Sequence, residues 1–516
     1  MVDSATEAYV CSLEIKIKRS VMLSFIDTQQ KKPKKRSALK RKADFSEIYA
    51  SWPTKALQEQ ATRCSQCGVP FCQTGCPLSN NIPDWLRLAS EGRIEEAYLL
   101  SSATNSMPEI CGRICPQDKL CEGSCVIEKG FGAVTIGAVE KFLTDEAFKQ
   151  GWVAPIEAGK KRSASVGIIG AGPAGLAAAE QLRRYGYAVH IYDRYDRAGG
   201  MLVYGIPEFK LEKSIVERRI DRLVEGGVEF HMGFEVGRDA SLKDLRAKHQ
   251  SVLIATGTYN AHELTEDGAD KDGIIAAMDY LSTANKVVLG DNIEDFNNGT
   301  LNAKGKNVVV IGGGDTAMDC VRTAIRQQAQ SVQCLYRRDI ENMPGSRMEV
   351  QNAIEEGVKF LWLSAPLHFE GDKVVEKAVV QEMALGTRDE NGRQRPRPVP
   401  NSEFYLATDM VITALGFKAE DLPKHFSAPN LKTSQWGTVE IGNELGKNNR
   451  ATATSIDGVF AAGDISRGPS LVVWAIKDGR DAAKDIHRYL SKVENDPIDE
   501  LGADYFSPIK QGFVDA

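Results

Sequence analysis

Eight of the chain's eleven cysteines fall between Cys64 and Cys125. The first run reads Cys64-x2-Cys67-x4-Cys72-x3-Cys76-Pro77; the second holds Cys115-Pro116, Cys121 and Cys125, with Cys111 just upstream. Thiolates are soft donors, and sulfur ligation this dense selects zinc or iron–sulfur clusters. Zinc usually takes two matched pairs of ligands with a long spacer. Four interleaved cysteines within thirteen residues, closed by Cys-Pro, fit iron–sulfur ligation better. One or two structural zinc sites stay open as the alternative. Disulfides are disfavoured, because residues 1 to 23 carry Glu7, Glu14, Lys16, Lys18 and Arg19 where an export signal needs an apolar run.

Two glycine-rich turns carry a second kind of chemistry. The apolar run from Ser165 leads to Gly170-Ala-Gly172-Pro173-Ala174-Gly175 and then to a helical pattern. Gly170 suits a tight turn, Gly172 lets backbone approach a pyrophosphate, Gly175 permits close helix–strand packing, and the helix start offers amide donors to phosphate. The next apolar run ends in Asp193, an acceptor for a ribose diol. The second turn is Gly312-Gly-Gly314-Asp315-Thr316-Ala317, and its following strand ends in Arg337-Arg338 instead of an acid. Guanidinium groups hold a 2′-phosphate through forked, charge-assisted hydrogen bonds, so this second site should prefer NADP(H) to NAD(H). A solvated surface pair is the competing reading of the two arginines. A later apolar run ends at Gly463-Asp464, placing Asp464 near the ribityl or pyrophosphate part of a flavin, and Ser470 to Ala475 starts a helix that can aim its positive end at the flavin ring. The first turn is therefore assigned to FAD and the second to the nicotinamide donor.

These residues must be positioned by more than one core. At 516 residues the chain predicts two or three domains. Repeated units of apolar run, glycine turn and amphipathic helix predict an α/β fold with two Rossmann-like dinucleotide-binding domains. Short helical patterns such as 82–91 and 93–100 around the cysteines predict a small α-helical iron–sulfur domain before them. The expected order is an extension and basic tail over 1–43, the helical domain over 44–158, the FAD domain over 159–289 and 414–495, the NADPH domain inserted at 290–413, and a C-terminal tail over 496–516. Crossings between the two folds are expected at Ala255-Thr256-Gly257 and at Ala414-Leu415-Gly416. Residues 31–42 hold eight basic residues in twelve and read as a solvated tail lying on the surface of its own complex, with a nucleic-acid or membrane patch as the alternative. A formal charge of −6 disfavours nucleic-acid binding by bulk charge, and no run approaches the ~20 apolar residues of a membrane span. The expected address is the cytoplasm.

Together these segments resemble the small (beta) subunit family of NADPH-dependent glutamate synthases, from about Phe45 to Leu490. The resemblance is carried by Cys64-Ser-Gln-Cys-Gly-Val-Pro-Phe-Cys, Ile110-Cys-Gly-Arg-Ile-Cys-Pro, Gly199-Gly-Met-Leu-Val-Tyr-Gly-Ile-Pro, Tyr336-Arg-Arg-Asp with Met343-Pro-Gly-Ser-Arg, and the stretch from Gly463 to Ile476. It adds Arg197, Gly200, Met201, Leu202, Gly205, Ile206, Ala255, Thr256, Gly257, Ser470 and Leu471 to the FAD site, and Ala414 and Gly416 to the NADPH site. The cysteine pattern is also similar to that of dihydropyrimidine dehydrogenase, which implies two [4Fe-4S] clusters with interleaved ligands. By that resemblance Cys64, Cys67, Cys72 and Cys125 hold one cluster, and Cys76, Cys115, Cys121 and Glu140 the other. A solvated helix position is the competing reading of Glu140. Cys111 is then a spare, and Cys11, Cys320 and Cys334 are ordinary residues. Family members tend to start near Met22, so residues 1–21 read as an extension or an over-called start.

The resemblance implies hydride transfer from NADPH to FAD and passage of electrons through the clusters to a large (alpha) subunit. That partner would carry FMN and glutaminase sites and make L-glutamate from L-glutamine and 2-oxoglutarate, so a hetero-oligomer is expected. An NADPH:ferredoxin oxidoreductase subunit of a related complex is one alternative, and a non-catalytic zinc-binding scaffold another. A thioredoxin-reductase-like role is disfavoured, since the nucleotide-binding segments contain no Cys-x-x-Cys.

Overall fold

A computed structural model describes residues 22–390, 394–442 and 451–493. The expected extension at 1–21, Cys11 and the tail at 496–516 lie outside the described residues.

The cysteine-bearing region is helical. After α1 (Ala38–Ala43), its main helices are α2 (Ile82–Ser90), α3 (Ile94–Thr104), α4 (Pro108–Ile114) and α5 (Ile136–Lys149). In α2 the spacing of Ile82, Trp85, Leu86 and Ala89 puts one apolar face inward, Pro83 suits the first turn, and Gly92, at φ 80°, ends the run. That face packs with Leu57, Val139 and Leu143 into a core of its own.

Next come β1 (Ser165–Ile169), α6 (Pro173–Arg184), β2 (Ala188–Asp193), β3 (Val228–Met232) and β4 (Ser251–Ile254). The second nucleotide-type unit consists of β5 (Ile274–Ala276), α7 (Ala277–Val288), β6 (Asn307–Ile311), α8 (Asp315–Arg326), β7 (Ser331–Tyr336), α9 (Arg347–Glu356), β8 (Lys359–Trp362) and β9 (Met410–Thr413). The chain then returns through β10 (Val459–Ala461) and α10 (Val472–Val493). The first sheet has the order β10-β4-β1-β2-β3 and the second β5-β9-β6-β7-β8, every pair parallel. An antiparallel sheet built from 364–407 flanks the second. Strands β1 and β6 are buried along nearly their whole length, as parallel strands covered on both faces must be.

Two expectations change. The second unit does not start at 290: β5 pairs with β9, and Ala277, Tyr280 and Leu281 of α7 sit in the second core. A three-residue strand beside a helix gives too short a periodic signal to read. The basic run at 31–42 lies on the chain's own surface, with Lys31, Lys32, Lys34 and Lys40 exposed, but it is not solvated throughout. Arg41 is 2% exposed and its guanidinium meets Glu355 and Glu356 of α9 at 2.6 and 3.1 Å. Charge density alone does not reveal a partner more than three hundred residues away.

Candidate functional site

The two glycine turns are built alike. Gly170 has φ 110°, and a Cβ there would lie 2.3 Å from the Ala255 carbonyl oxygen; Gly312 has φ 148°, with a Cβ 2.3 Å from the Ala414 carbonyl oxygen. Each glycine is thus pressed against the crossing segment that leaves the neighbouring strand. A Cβ at Gly175 would lie 2.0 Å from the Gly170 carbonyl, so the helix abuts its own turn. At Gly172 and Gly314 a Cβ would meet nothing within 4 Å, which leaves open space over both helix starts.

The turns face one cleft of about 1060 Å³ lined from both sheets. All the residues expected for NADPH line it: Gly312, Gly314, Asp315, Thr316, Arg337, Arg338, Ala414 and Gly416. Of those expected for FAD, Gly175, Arg197, Gly200 and Leu202 do not line it. Arg197 forks onto Asp291 at 2.6 and 2.8 Å instead, Leu202 is in the core, and Gly200 lies behind Gly172. Asp193 reaches the cleft wall with both oxygens engaged, accepting from the Ala171 N–H at 2.7 Å and the Tyr195 N–H at 2.8 Å. Asp464 accepts from the Ser470 hydroxyl at 2.8 Å, and burial pushes its carboxyl up to about 6.

The cysteines gather in two groups. Cys64, Cys72 and Cys125 pack into the helical unit's core, and burial, with Cys64, Cys125 and Cys67 nearby, pushes the Cys72 thiol up to about 12. The Cys64 sulfur accepts from Gln66 Nε2 at 3.2 Å. Cys76, Cys115, Cys121 and Glu140 line a separate small cavity, and burial raises Cys76 to about 11. Glu140 Oε1 accepts from Asn80 Nδ2 at 3.3 Å and Asn105 Nδ2 at 3.1 Å, and burial lifts its carboxyl to about 8. It is a buried position, not a solvated one. Cys111, expected to be a spare, lines the same cavity. Cys320 and Cys334 are buried in the second core. Cys115 lines both this cavity and the large cleft, so the second group borders the cleft.

These surroundings fit the groups that the turns and cysteines suggest. Four buried polar atoms without a hydrogen-bond partner, Thr256 Oγ1, Thr258 Oγ1, Arg338 Nε and Ser346 Oγ, belong to residues lining the cleft. Buried polar atoms are rarely left unmatched, and polar ligands would satisfy them. Two sets of free thiols, partly or wholly buried, likewise suit a soft cation bound through sulfur. The cleft also contains Arg113, Lys210, Tyr259 and Asp319, which sequence reading misses. Lys210 pairs with Asp319 of α8 at 2.8 Å, so it ties the first unit to the second across the cleft. Nothing local in the sequence marks that pairing.

Residues 164–479 match the family model described as pyridine nucleotide-disulphide oxidoreductase, and residues 41–152 the one described as dihydropyrimidine dehydrogenase domain II, 4Fe-4S cluster. A protein of Azospirillum brasilense named glutamate synthase (NADPH) small chain is 60% identical over 478 residues, 92% of this chain and 98% of the relative. This chain belongs to the glutamate synthase (NADPH) small-chain family. Another small chain, from Escherichia coli (strain K12), is 45% identical over 471 residues, covering 90% of this chain and 98% of the relative. Among solved structures, Mycobacterium tuberculosis FprA in complex with NADPH matches at a TM-score of 0.53 and 18% identity, covering 67% of this chain and 89% of that one. At that identity it shows the fold alone. The small-chain family thus combines an iron–sulfur unit with an oxidoreductase pair of parallel sheets.

Proposed function

We propose that this chain is the electron-input subunit of an NADPH-dependent glutamate synthase. It would feed a larger, glutamate-forming partner within a cytoplasmic hetero-oligomer. The observation that carries the reading is the single cleft faced by two glycine turns, one backed by an acid and the other by two arginines, with a cysteine group on its border. When bound, NADPH supplies a hydride, FAD accepts it and yields electrons singly, and iron–sulfur clusters relay them.

The chain's own residues do the placing. Open backbone at Gly172 and the start of α6 would receive the FAD pyrophosphate, and the start of α8 that of NADPH. Arg337 and Arg338 would hold the 2′-phosphate, Arg338 Nε being buried without a partner. Asp315 Oδ1 accepts from the Ser346 N–H at 2.9 Å and so fixes the loop beyond the arginines. The first cluster would take Cys64, Cys67, Cys72 and Cys125, and the second Cys76, Cys115, Cys121 and Glu140. Among the described residues no helix is long and apolar enough to cross a membrane.

The test is anaerobic stopped-flow absorbance of the purified chain, with iron and FAD assayed on the same sample. The expected result is fast flavin bleaching by NADPH, slow bleaching by NADH and about eight irons per chain. Flavin bleaching without iron would remove the relay, and no response to either nucleotide would overturn the reading.

A further inference from the structure

The chain crosses between the two parallel sheets twice, and both crossings run through one short antiparallel ribbon in which Asn260 faces Lys418 and Ala261 faces Phe417. A lone two-stranded ribbon is a weak constraint on orientation. The cleft, however, needs the two sheets held at one angle if a nicotinamide is to reach a flavin.

Beside the ribbon and direct ties such as Lys210–Asp319 at 2.8 Å and Asn285 to the Tyr204 carbonyl at 3.0 Å, a further connection comes from the basic segment. The Arg36 N–H donates to the Ile48 carbonyl at 2.9 Å and the Ala50 N–H to the Lys34 carbonyl at 3.0 Å, so residues 34–50 close into a loop with α1 at its tip. Both ends of the loop are fixed on the helical unit. The Lys31 N–H donates to Gln60 Oε1 at 2.8 Å, and Glu47 accepts from Arg113 and Lys141, each at 2.5 Å. The tip reaches the second sheet: Arg41 meets Glu355 and Glu356, and Lys35 meets Glu355 at 2.8 Å and Asn352 Oδ1 at 3.1 Å. The helical unit is itself pinned to the first sheet's unit by a buried fork from Arg219 to Glu109 at 2.7 and 2.8 Å. First unit to helical unit to second unit therefore closes a triangle that bypasses the ribbon.

We propose that residues 34–50 are a clasp that sets the angle between the two sheets, and that Arg41 is a positioning residue for hydride delivery. The proposal rests on the NADPH-to-FAD reading above. It separates orientation from binding, because the polar partners of Arg41 are Asn352, Glu355 and Glu356 of α9, none of them assigned to the nucleotides. Removing Arg41 strands no charge, since Glu356 keeps Arg322 and Arg326 as partners at 2.9 and 2.7 Å. The variant should therefore fold.

The test compares wild type, Arg41→Ala and Arg41→Lys as full chains loaded with FAD and clusters. In Arg41→Ala the limiting rate of flavin bleaching should fall at least about tenfold, while the half-saturating NADPH concentration stays within about twofold; Arg41→Lys should recover part of the rate. Independently of turnover, amide exchange at 260–261 and 417–418 should rise in Arg41→Ala, with β6 and β7 unchanged. Unchanged rate and exchange would overturn the proposal. So would a uniform rise in exchange across the second sheet, which marks lost stability and not lost orientation. Failure of the wild type to respond to NADPH would instead sink the parent reading.

Discussion

The turn at Gly170 and the turn at Gly312 are near copies in backbone, yet their surroundings hold them differently. Behind the first, the alanine-rich helix α6 packs against α10 so closely that a Cβ at Gly479 would sit 2.1 Å from the Ala174 carbonyl oxygen. Behind the second, α8 buries Ala317, Met318, Val321 and Ala324 and adds charge that reaches other elements: Asp319 to Lys210, Arg322 to Glu349 and Glu356, and Arg326 to Glu356. Close apolar packing suits a cofactor that stays. A network of ion pairs reaching into both other units suits a site whose orientation must be kept while its ligand comes and goes.

The largest effect is expected from filling the turns. Gly170→Ala adds a Cβ at positive φ against backbone and should cost on the order of 3 kcal/mol or more. The expected outcome is a chain purified without flavin. Gly312→Ala carries the same local strain but should purify yellow, retain iron and lose NADPH-driven bleaching by at least about 100-fold. Equal flavin loss in both would show that the two units do not hold their ligands independently. Next in size is the charge that distinguishes them. Each guanidinium–phosphate hydrogen bond contributes about 1.5–3 kcal/mol, so Arg337→Ala with Arg338→Ala should lower the bleaching efficiency with NADPH about 100-fold. Efficiency with NADH should change little, and a parallel fall with both nucleotides would mean that the arginines do not read the 2′-phosphate.

How much of this was legible follows from how local each feature is. A strand, a glycine turn, a helix and a terminal charge lie within about thirty residues, so both turns, and the opposite signs of Asp193 and Arg337, stand in the sequence. What could not be read depends on distant partners. Ile274–Ala276 becomes a strand because Met410–Thr413 passes beside it. Arg197 turns away from the cleft because Asp291 is there to pair with it. Arg41 looks like one more solvated charge until Glu356 is brought to it. The division of the cysteines came from family resemblance, since spacing alone does not say which sulfurs meet, and Cys111 shows the limit: it lines the cavity from which it was set aside.

The two helices respond alike to acid, since Glu180 of α6, paired with Arg184 and Arg222 at 2.9 and 3.1 Å, is held well below its ordinary value just as Glu356 is behind α8. Burial pushes the Glu356 carboxyl up, but hydrogen bonds from Arg322 and Arg326 outweigh this and hold it at about 2, against an ordinary 4.5. A depressed carboxyl contributes stability that is complete above its unfolded value and lost as pH falls through the folded one. Between about pH 4.5 and 2, amide protection in 315–326 and in 173–184 should therefore fall together. Exchange measured across that window checks it, and protection in 315–326 that persists while 173–184 opens would mean that the charges behind the second turn do not set its stability.

The smallest effect expected is at Asp193, and it decides what the acid of the first turn is for. Its Oδ2 and Oδ1 accept from the Ala171 and Tyr195 N–H groups, and burial raises the carboxyl while those bonds oppose the rise. Asp193→Asn keeps one acceptor and sets a donor against the other N–H, at a cost of about 1–3 kcal/mol. If the acid also takes a ribose diol, flavin affinity should drop about tenfold with the NADPH half-saturation unchanged. If its task is confined to bracing the turn, the unfolding midpoint should fall while flavin binding at low temperature stays as in the wild type. Titration of the flavin-free protein with FAD, alongside thermal unfolding of the same variant, separates the two. The first result is expected, because a carboxylate oxygen has two acceptor positions and each of these spends one on backbone, leaving the outer pair turned to the cleft that Asp193 lines.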